Sequence, residues 1–442
     1  MRVLKFGGTS VGKPENMQMV SDIINRDDEQ KIVVLSAVSG TTNSLVAIGE
    51  ELYNSNKSQA IILIDELYAK YQPFLKDLYR QDEFFQKGKA AVDTQFEVIR
   101  GMVENPFTDK EERLLLAQGE LMSTQMFAHF LTENGFDNNL IWALDFMSVD
   151  GDHEPDMAAI RPKLAEIVEA NKGVKLLITQ GYICMNADNE VDNLKRGGSD
   201  YTASLIGAAV TAQDIQIWTD IDGMHNNDPR VVDRTAPIPH ISFDEAAELA
   251  YFGAKILHPA TIRPAMDYKI PVRLLNTMEP EAAGTVISEA KGGRDIKAVA
   301  AKDFITAIKI KSSRMLLAYG FLRKVFEVFE KYKTPIDMIT TSEVAVSLTI
   351  DDNTNLKAIT SELEAFGHVE VDREQTIICI AGENIPDQDD AAARVFDSLK
   401  GIPIRMVSFG GSRFNISVLV SMNDKQRALQ ALNDGLFADK LK

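Results

Sequence analysis

Cysteine is nearly absent. The 442 residues contain two, Cys184 and Cys379, too few for a disulfide framework and without metal-cluster spacing. Both read as buried thiols. The six histidines are scattered and form no HExxH zinc pair. No apolar run reaches the roughly 20 residues of a membrane-crossing helix, and the N-terminus opens on a strand pattern instead of a secretion signal. Positive charge is also short: 47 Lys and Arg against 65 Asp and Glu leave a net charge of −18. That argues against nucleic-acid and anionic-membrane partners. A cytoplasmic protein of two or three domains, each with its own core, is expected.

Against this negative field, basic side chains beside glycine turns stand out. Residues 2–6 read as a strand ending in Gly7-Gly8, with Lys5 just ahead and Thr9-Ser10 just behind. Glycines at a strand end let backbone N–H groups approach an anion, and the lysine adds a point charge. Gly7, Gly12 and Lys13 nearly write a Walker A loop, but Pro14 stands where that loop needs a magnesium-binding hydroxyl. Proline offers neither hydroxyl nor N–H. It suits the first position of a helix through Met17, Val20 and Ile24.

Apolar runs at 31–36, 140–144, 175–179 and 215–219 read as further strands, with helical periodicity dominating 44–135. Strands separated by helices predict an α/β fold: a mostly parallel sheet sandwiched by helices, its site at the strands' carboxyl ends. Near residue 300 the rhythm changes. Val325-Phe326-Glu327 and 335–339 return as Val395-Phe396-Asp397 and 403–407, a repeat that predicts two ferredoxin-like α+β modules. The expected division is 1–295 for catalysis and 300–442 for the repeat, the modules being about 315–385 and about 386–442 plus 303–314. Regulation and dimerisation both suit such a repeat.

Four more clusters carry chemistry. Arg196-Gly197-Gly198-Ser199-Asp200 opens a helix, where N–H groups favour an anion, Arg196 can grip a carboxylate and Asp200 can orient a lysine or ammonium. Ser199 serves equally as a helix cap. Thr219-Asp220 with Asp228-Pro229-Arg230 would suit ribose and phosphates, or turn chemistry alone. Lys255 sits in an apolar stretch, where it either meets an anion or snorkels to water. Glu120 is expected near a helix start, receiving an ammonium or simply matching the helix dipole.

Taken in order, KFGGTS from Lys5, SGTTN from Ser39, GE from Gly119, RGGSD from Arg196, WTDIDG from Trp218, DPR from Asp228 and FGAKILHPAT from Phe252 closely resemble the aspartokinases of the amino acid kinase family. ITTSEV from Ile339 resembles the effector strand of that family's paired ACT domains. The resemblance implies ATP-dependent phosphorylation of the β-carboxylate of L-aspartate, with Mg²⁺ accompanying ATP. It implies catalytic roles for Lys5 and Asp200. Nucleotide contacts would come from Lys5, Gly7, Gly8, Thr219, Asp220, His225, Arg230, Lys255 and Ile256. Aspartate contacts would come from Ser36, Thr42, Glu120, Arg196, Ser199 and Asp200. His225 departs from the aromatic residue of many relatives. An amino acid effector, with lysine the first candidate, would meet Met315, Gly320, Phe321, Leu322, Asp337, Thr341 and Ser342 at an ACT–ACT homodimer interface. Ala318 replaces a hydroxyl of some lysine-inhibited relatives. Ending at Lys442, the chain is expected to be monofunctional. Two rival readings are an amino acid sensor with a degenerate kinase domain and a kinase acting on glutamate.

Overall fold

The computed structural model describes residues 1–194, 197–253, 259–289, 295–312 and 319–438. Arg196, Lys255, Ile256, Met315 and Ala318 lie outside the described residues. In chain order the elements begin β1 (Arg2–Phe6), α1 (Pro14–Ile24), β2 (Lys31–Leu35), α2 (Thr41–Tyr53), α3 (Lys57–Leu78), α4 (Asp82–Met102) and α5 (Asp109–Glu133). They continue β3 (Asn138–Leu140), α6 (Ala143–Phe146), α7 (Met157–Ala170), β4 (Leu176–Gln180), β5 (Ile183–Met185), β6 (Val191–Asn193), α8 (Gly198–Val210) and β7 (Ile215–Thr219). Next come β8 (His240–Ser242), α9 (Phe243–Tyr251), α10 (Pro259–Asp267), β9 (Val272–Asn276), β10 (Thr285–Ser288), β11 (Ile296–Lys311), α11 (Phe321–Lys331), β12 (Ile339–Thr341) and β13 (Ala345–Ile350). The last are α12 (Leu356–Leu363), β14 (His368–Gly382), α13 (Ala391–Ser398), β15 (Met406–Phe409), β16 (Asn415–Ser421) and α14 (Lys425–Phe437).

The chain forms two compact units, Met1–Met224 with Leu257–Glu289, and His225–Ile256 with Ala290–Lys442. In the first, strands run in the order β3-β4-β2-β1-β7-β9-β10, all parallel except β10. β2, Lys-Ile-Val-Val-Leu, is buried along its whole length, as a strand covered on both faces must be. β1 lies between β2 and β7, with Lys5 opposite Val34 and Ile217. From β1 the sheet grows both ways, and ligands of such sheets bind at the carboxyl ends beside that point.

Helix α3 buries Ala60, Ile64, Leu67, Tyr71, Leu75 and Leu78, a spacing of three and four that puts them on one stripe. α5 starts at a capping box in which Thr108 accepts from Lys110 N while Glu111 reaches back to Thr108 N. Removing such a cap costs about 1 kcal/mol. Glu120 therefore sits well inside α5, not near its start, and the helix dipole, which acts only over the first turn, does not explain it. The strand expected at 140–144 also stops early. Gln180 Oε1 accepts from Ala143 N at 2.8 Å, and that tertiary contact turns the chain into α6.

The second unit contains a sheet in the order β12-β13-β11-β14-β16-β15. The long strands β11 and β14 serve both repeats. Residues 306–311 pair with β13 and 368–372, while 298–302 pair with 377–381, which in turn pair with β16. Of residues 303–314, expected to complete the second module, 306–311 instead supply a strand to the first. The second takes 296–302, because a register shift between Lys302 and Ile305 breaks β11 into two halves.

Candidate active site

The parallel strands of the first unit end where the glycine turns begin. Gly7 N donates to Trp218 O at 3.2 Å and Ser36 N to Phe6 O at 3.2 Å, which fixes the β1, β2 and β7 ends against one another. A Cβ on Gly8 would stand 3.0 Å from Ala37 O, so only glycine fits that approach comfortably. Ser123 Oγ donates to Ser36 O at 2.7 Å, tying α5 to the end of β2.

Lys5 Nζ lies 2.7 Å from Asp200 Oδ1, both side chains largely buried. Asp200 occupies the first turn of α8, after Gly197 at φ +79°. A Cβ on Gly7 would be 3.5 Å from Lys5 Nζ, so the glycine turn and the ammonium border the same space. Glu120 is 4 % exposed, and its Oε2 has no hydrogen-bond partner. Burial pushes its carboxyl up to about 8, against hydrogen bonds from the backbone of Ala37 and Glu120 and the charge of Lys5. A buried carboxyl with a free oxygen is poised to take a cation.

Ser199 packs against Gly181, where an added Cβ would come within 2.4 Å of its side chain. Thr219 Oγ1 donates to Asp220 Oδ1 at 3.1 Å, and Thr219 O accepts from Thr277 N at 2.8 Å. Thr42 is exposed in the first turn of α2, after Gly40 at φ +82°. A cavity of about 180 Å³ beside it is lined by Ser39, Thr41, Lys70 and Tyr71. Lys5, Gly7, Gly8, Ser36, Glu120, Ser199, Asp200, Thr219 and Asp220 thus all belong to the first unit, at or beside the strand ends.

His225 and Arg230 belong to the second unit. His225 Nδ1 is 2.6 Å from Thr235 Oγ1. Arg230 is gripped by Asp228 through Nε and Nη2 at 2.9 and 2.8 Å while staying exposed. Its loop is fastened by Asn227 Nδ2, which donates to Leu429 O at 3.1 Å.

Among the expected effector residues, Gly320 caps α11 at φ +81°, Phe321 is buried and Leu322 exposed. Thr341 and Ser342 line an open groove of about 580 Å³ with Lys309, Lys311 and Ser312. Asp337 brings a surprise. Its Oδ1 already holds the ammonium of Lys302 at 2.7 Å and accepts from Tyr251 Oη at 3.2 Å, while its buried Oδ2 has no partner. Lys302 and Tyr251 escaped the sequence reading. The signal available was a lysine following the apolar run 298–301, of the kind that singled out Lys255.

Residues 1–276 match the Amino acid kinase family, and residues 378–436 the ACT domain. The chain is 34% identical to aspartokinase 3, chloroplastic, of Arabidopsis thaliana, over 98% of this chain and 81% of that protein. It is 33% identical to lysine-sensitive aspartokinase 3 of Escherichia coli (strain K12), over 98% of this chain and 99% of that one. The crystal structure of E. coli aspartokinase III in complex with aspartate and ADP (R-state) matches with a TM-score of 0.86 at 32% identity, covering 99% of this chain and 100% of that chain. With these likenesses spanning both units, the chain belongs to the amino acid kinase family, in its aspartokinase branch.

Proposed function

We propose that the chain transfers the γ-phosphoryl group of ATP to the β-carboxylate of L-aspartate, giving 4-phospho-L-aspartate and ADP. The observation that carries this reading is the Lys5–Asp200 pair beside the glycine turn, with the buried Glu120 carboxyl, one of whose oxygens lacks a partner, nearby. A side-chain carboxylate has an ordinary pKa near 3.9, so at neutral pH aspartate is already a nucleophile and needs no general base. Its oxygen attacks the γ-phosphorus in line, and the bond to the β–γ bridging oxygen breaks, leaving its electron pair on ADP. The task of the protein is to bring two anions together and to neutralise the charge that develops between them.

In this proposal Lys5 and the N–H groups at Gly7 and Gly8 face the phosphates, and Asp200 holds Lys5 in register. Thr219, Asp220, His225, Arg230, Lys255 and Ile256 serve the nucleotide. Ser36, Thr42 and Ser199 position aspartate, Arg196 grips its carboxylate, and Glu120 receives its ammonium. Mg²⁺ bound with ATP would supply charge neutralisation at the phosphates. No helix among the described residues is long and apolar enough to cross a membrane, and a cytoplasmic site of action is part of the proposal.

The second unit is proposed to bind an amino acid effector and to pair the chain with a second copy. Lysine is the first candidate because the E. coli relative is named lysine-sensitive. The test is ADP release with aspartate, glutamate or no acceptor, the acyl phosphate being trapped with hydroxylamine. Hydroxamate formed with aspartate alone is expected, and preference for glutamate would overturn the acceptor assignment. Separate titrations of lysine, threonine and methionine against the initial rate identify the effector.

A further inference from the structure

Tyr182 follows Gly181 at the end of β4 with a backbone φ of +67°, a left-handed conformation that strains a bulky residue. Such strain persists only where the surroundings dictate it, and it gathers at ligand clamps. Phe304, another aromatic residue with positive φ, is 70% exposed at the β11 irregularity. Tyr182 is instead fixed on three sides. Its N–H donates to Thr202 Oγ1 at 2.9 Å, inside α8. Its carbonyl accepts from Leu194 N at 2.7 Å, just ahead of Lys195-Arg196 in sequence. Its ring covers Gly198, where a Cβ would stand 2.3 Å from Cδ2. The preceding Gly181 N donates to Leu35 O at 2.9 Å, tying the turn to the end of β2. Burial, with the charge of Glu120 next, pushes the Tyr182 hydroxyl up to about 12, so the ring stays neutral at working pH.

We propose that Tyr182 is a positioning residue for the acceptor. Its strained backbone and its ring lock Leu194 and the first turn of α8, with Ser199 and Asp200, against the strand ends near Glu120. The role rests on the acceptor reading above but concerns a residue to which that reading gives no part. It acts through the groups around it and needs the ring, not the hydroxyl.

Three variants test it. Tyr182→Gly removes the ring and also relieves the backbone strain, so the fold is not penalised at φ +67°. Tyr182→Asn, also tolerant of positive φ, gives an independent reading, and Tyr182→Phe keeps the ring. The Gly and Asn variants are expected to raise the KM for aspartate about tenfold or more, with the KM for ATP and the melting temperature close to the parent. Tyr182→Phe should restore the parent KM within about twofold. An unchanged aspartate KM in the Gly variant, or equal losses for aspartate and ATP with lowered melting temperature, would overturn the positioning role. A parent chain that releases no ADP with aspartate would overturn the acceptor assignment itself, and this role with it.

Discussion

A lysine–aspartate pair sits in each unit at the same Nζ–Oδ1 distance of 2.7 Å, and the two are built differently. In the second unit Lys302 is saturated: besides Asp337 it holds Asp351 at 2.8 Å and lies 4.8 Å over the ring of Tyr251. Burial raises the carboxyl of Asp337, and Lys302 pulls it back. In the first unit Lys5 has Asp200 as its ion-pair partner at a strand end, beside glycines with no side chains and a buried acid with a free oxygen. The same pairing therefore does two jobs. A lysine closed in by two acids and a ring fastens a strand, whereas a lysine on one acid beside backbone N–H groups keeps donors for an anion.

Three outcomes sharpen or break this contrast, the largest first. Arg196→Ala should raise the aspartate KM about a hundredfold, because the bidentate carboxylate grip proposed for it would be lost. Initial rates over varied aspartate and ATP check it, and an effect confined to ATP would break the assignment. Next is Glu120. Burial pushes its folded-state carboxyl up to about 8, against an ordinary value of about 4.3. Between those values the unfolded chain has lost the proton and the folded one keeps it, so stability falls as pH rises from about 4 to about 8 and is level beyond. Glu120→Gln should therefore stabilise the fold at pH 8 by a few kcal/mol and hardly at all near pH 4, read from urea midpoints. In the parent, the aspartate KM should fall by up to about tenfold per unit as pH approaches 8, since the acceptor's ammonium favours the ionised form. A flat profile would remove Glu120 from the ammonium site. The smallest effect belongs to Asp337→Asn, expected to raise the half-inhibitory concentration of the effector about fivefold while leaving turnover without effector near the parent value. Unaltered inhibition would make the Lys302 pair a structural fastening alone.

Much of the candidate site is legible because the features the structure gathers at the strand ends leave local marks: glycine pairs, a lysine before them and a carboxylate at a helix start. Lys5 and Asp200 are far apart in sequence, yet each announced itself within a few residues. Parallel strands were legible from apolar runs such as the one at 31–36. Contacts made by distant chain were not. The short β3 ends where Gln180 captures the backbone of Ala143. Glu120 looked like a helix-start acid because its local glycine resembles a boundary, while α5 is held together by a cap at Thr108. Tyr182 left no mark at all, since a positive φ at tyrosine arises from the packing around it. Asp337 was expected to meet the effector, and its partner Lys302, on β11, is invisible in its local sequence.

The most direct measurement compares Lys5→Ala with Lys302→Ala, following ADP release with aspartate and thermal unfolding of each. Turnover of Lys5→Ala should fall about a thousandfold, with aspartate affinity nearly intact. Lys302→Ala should melt several degrees lower for want of a partner at a buried acid, while each folded molecule turns over at close to the parent rate. Parent-like turnover in Lys5→Ala would contradict the assignment of Lys5 to the transferred phosphoryl group.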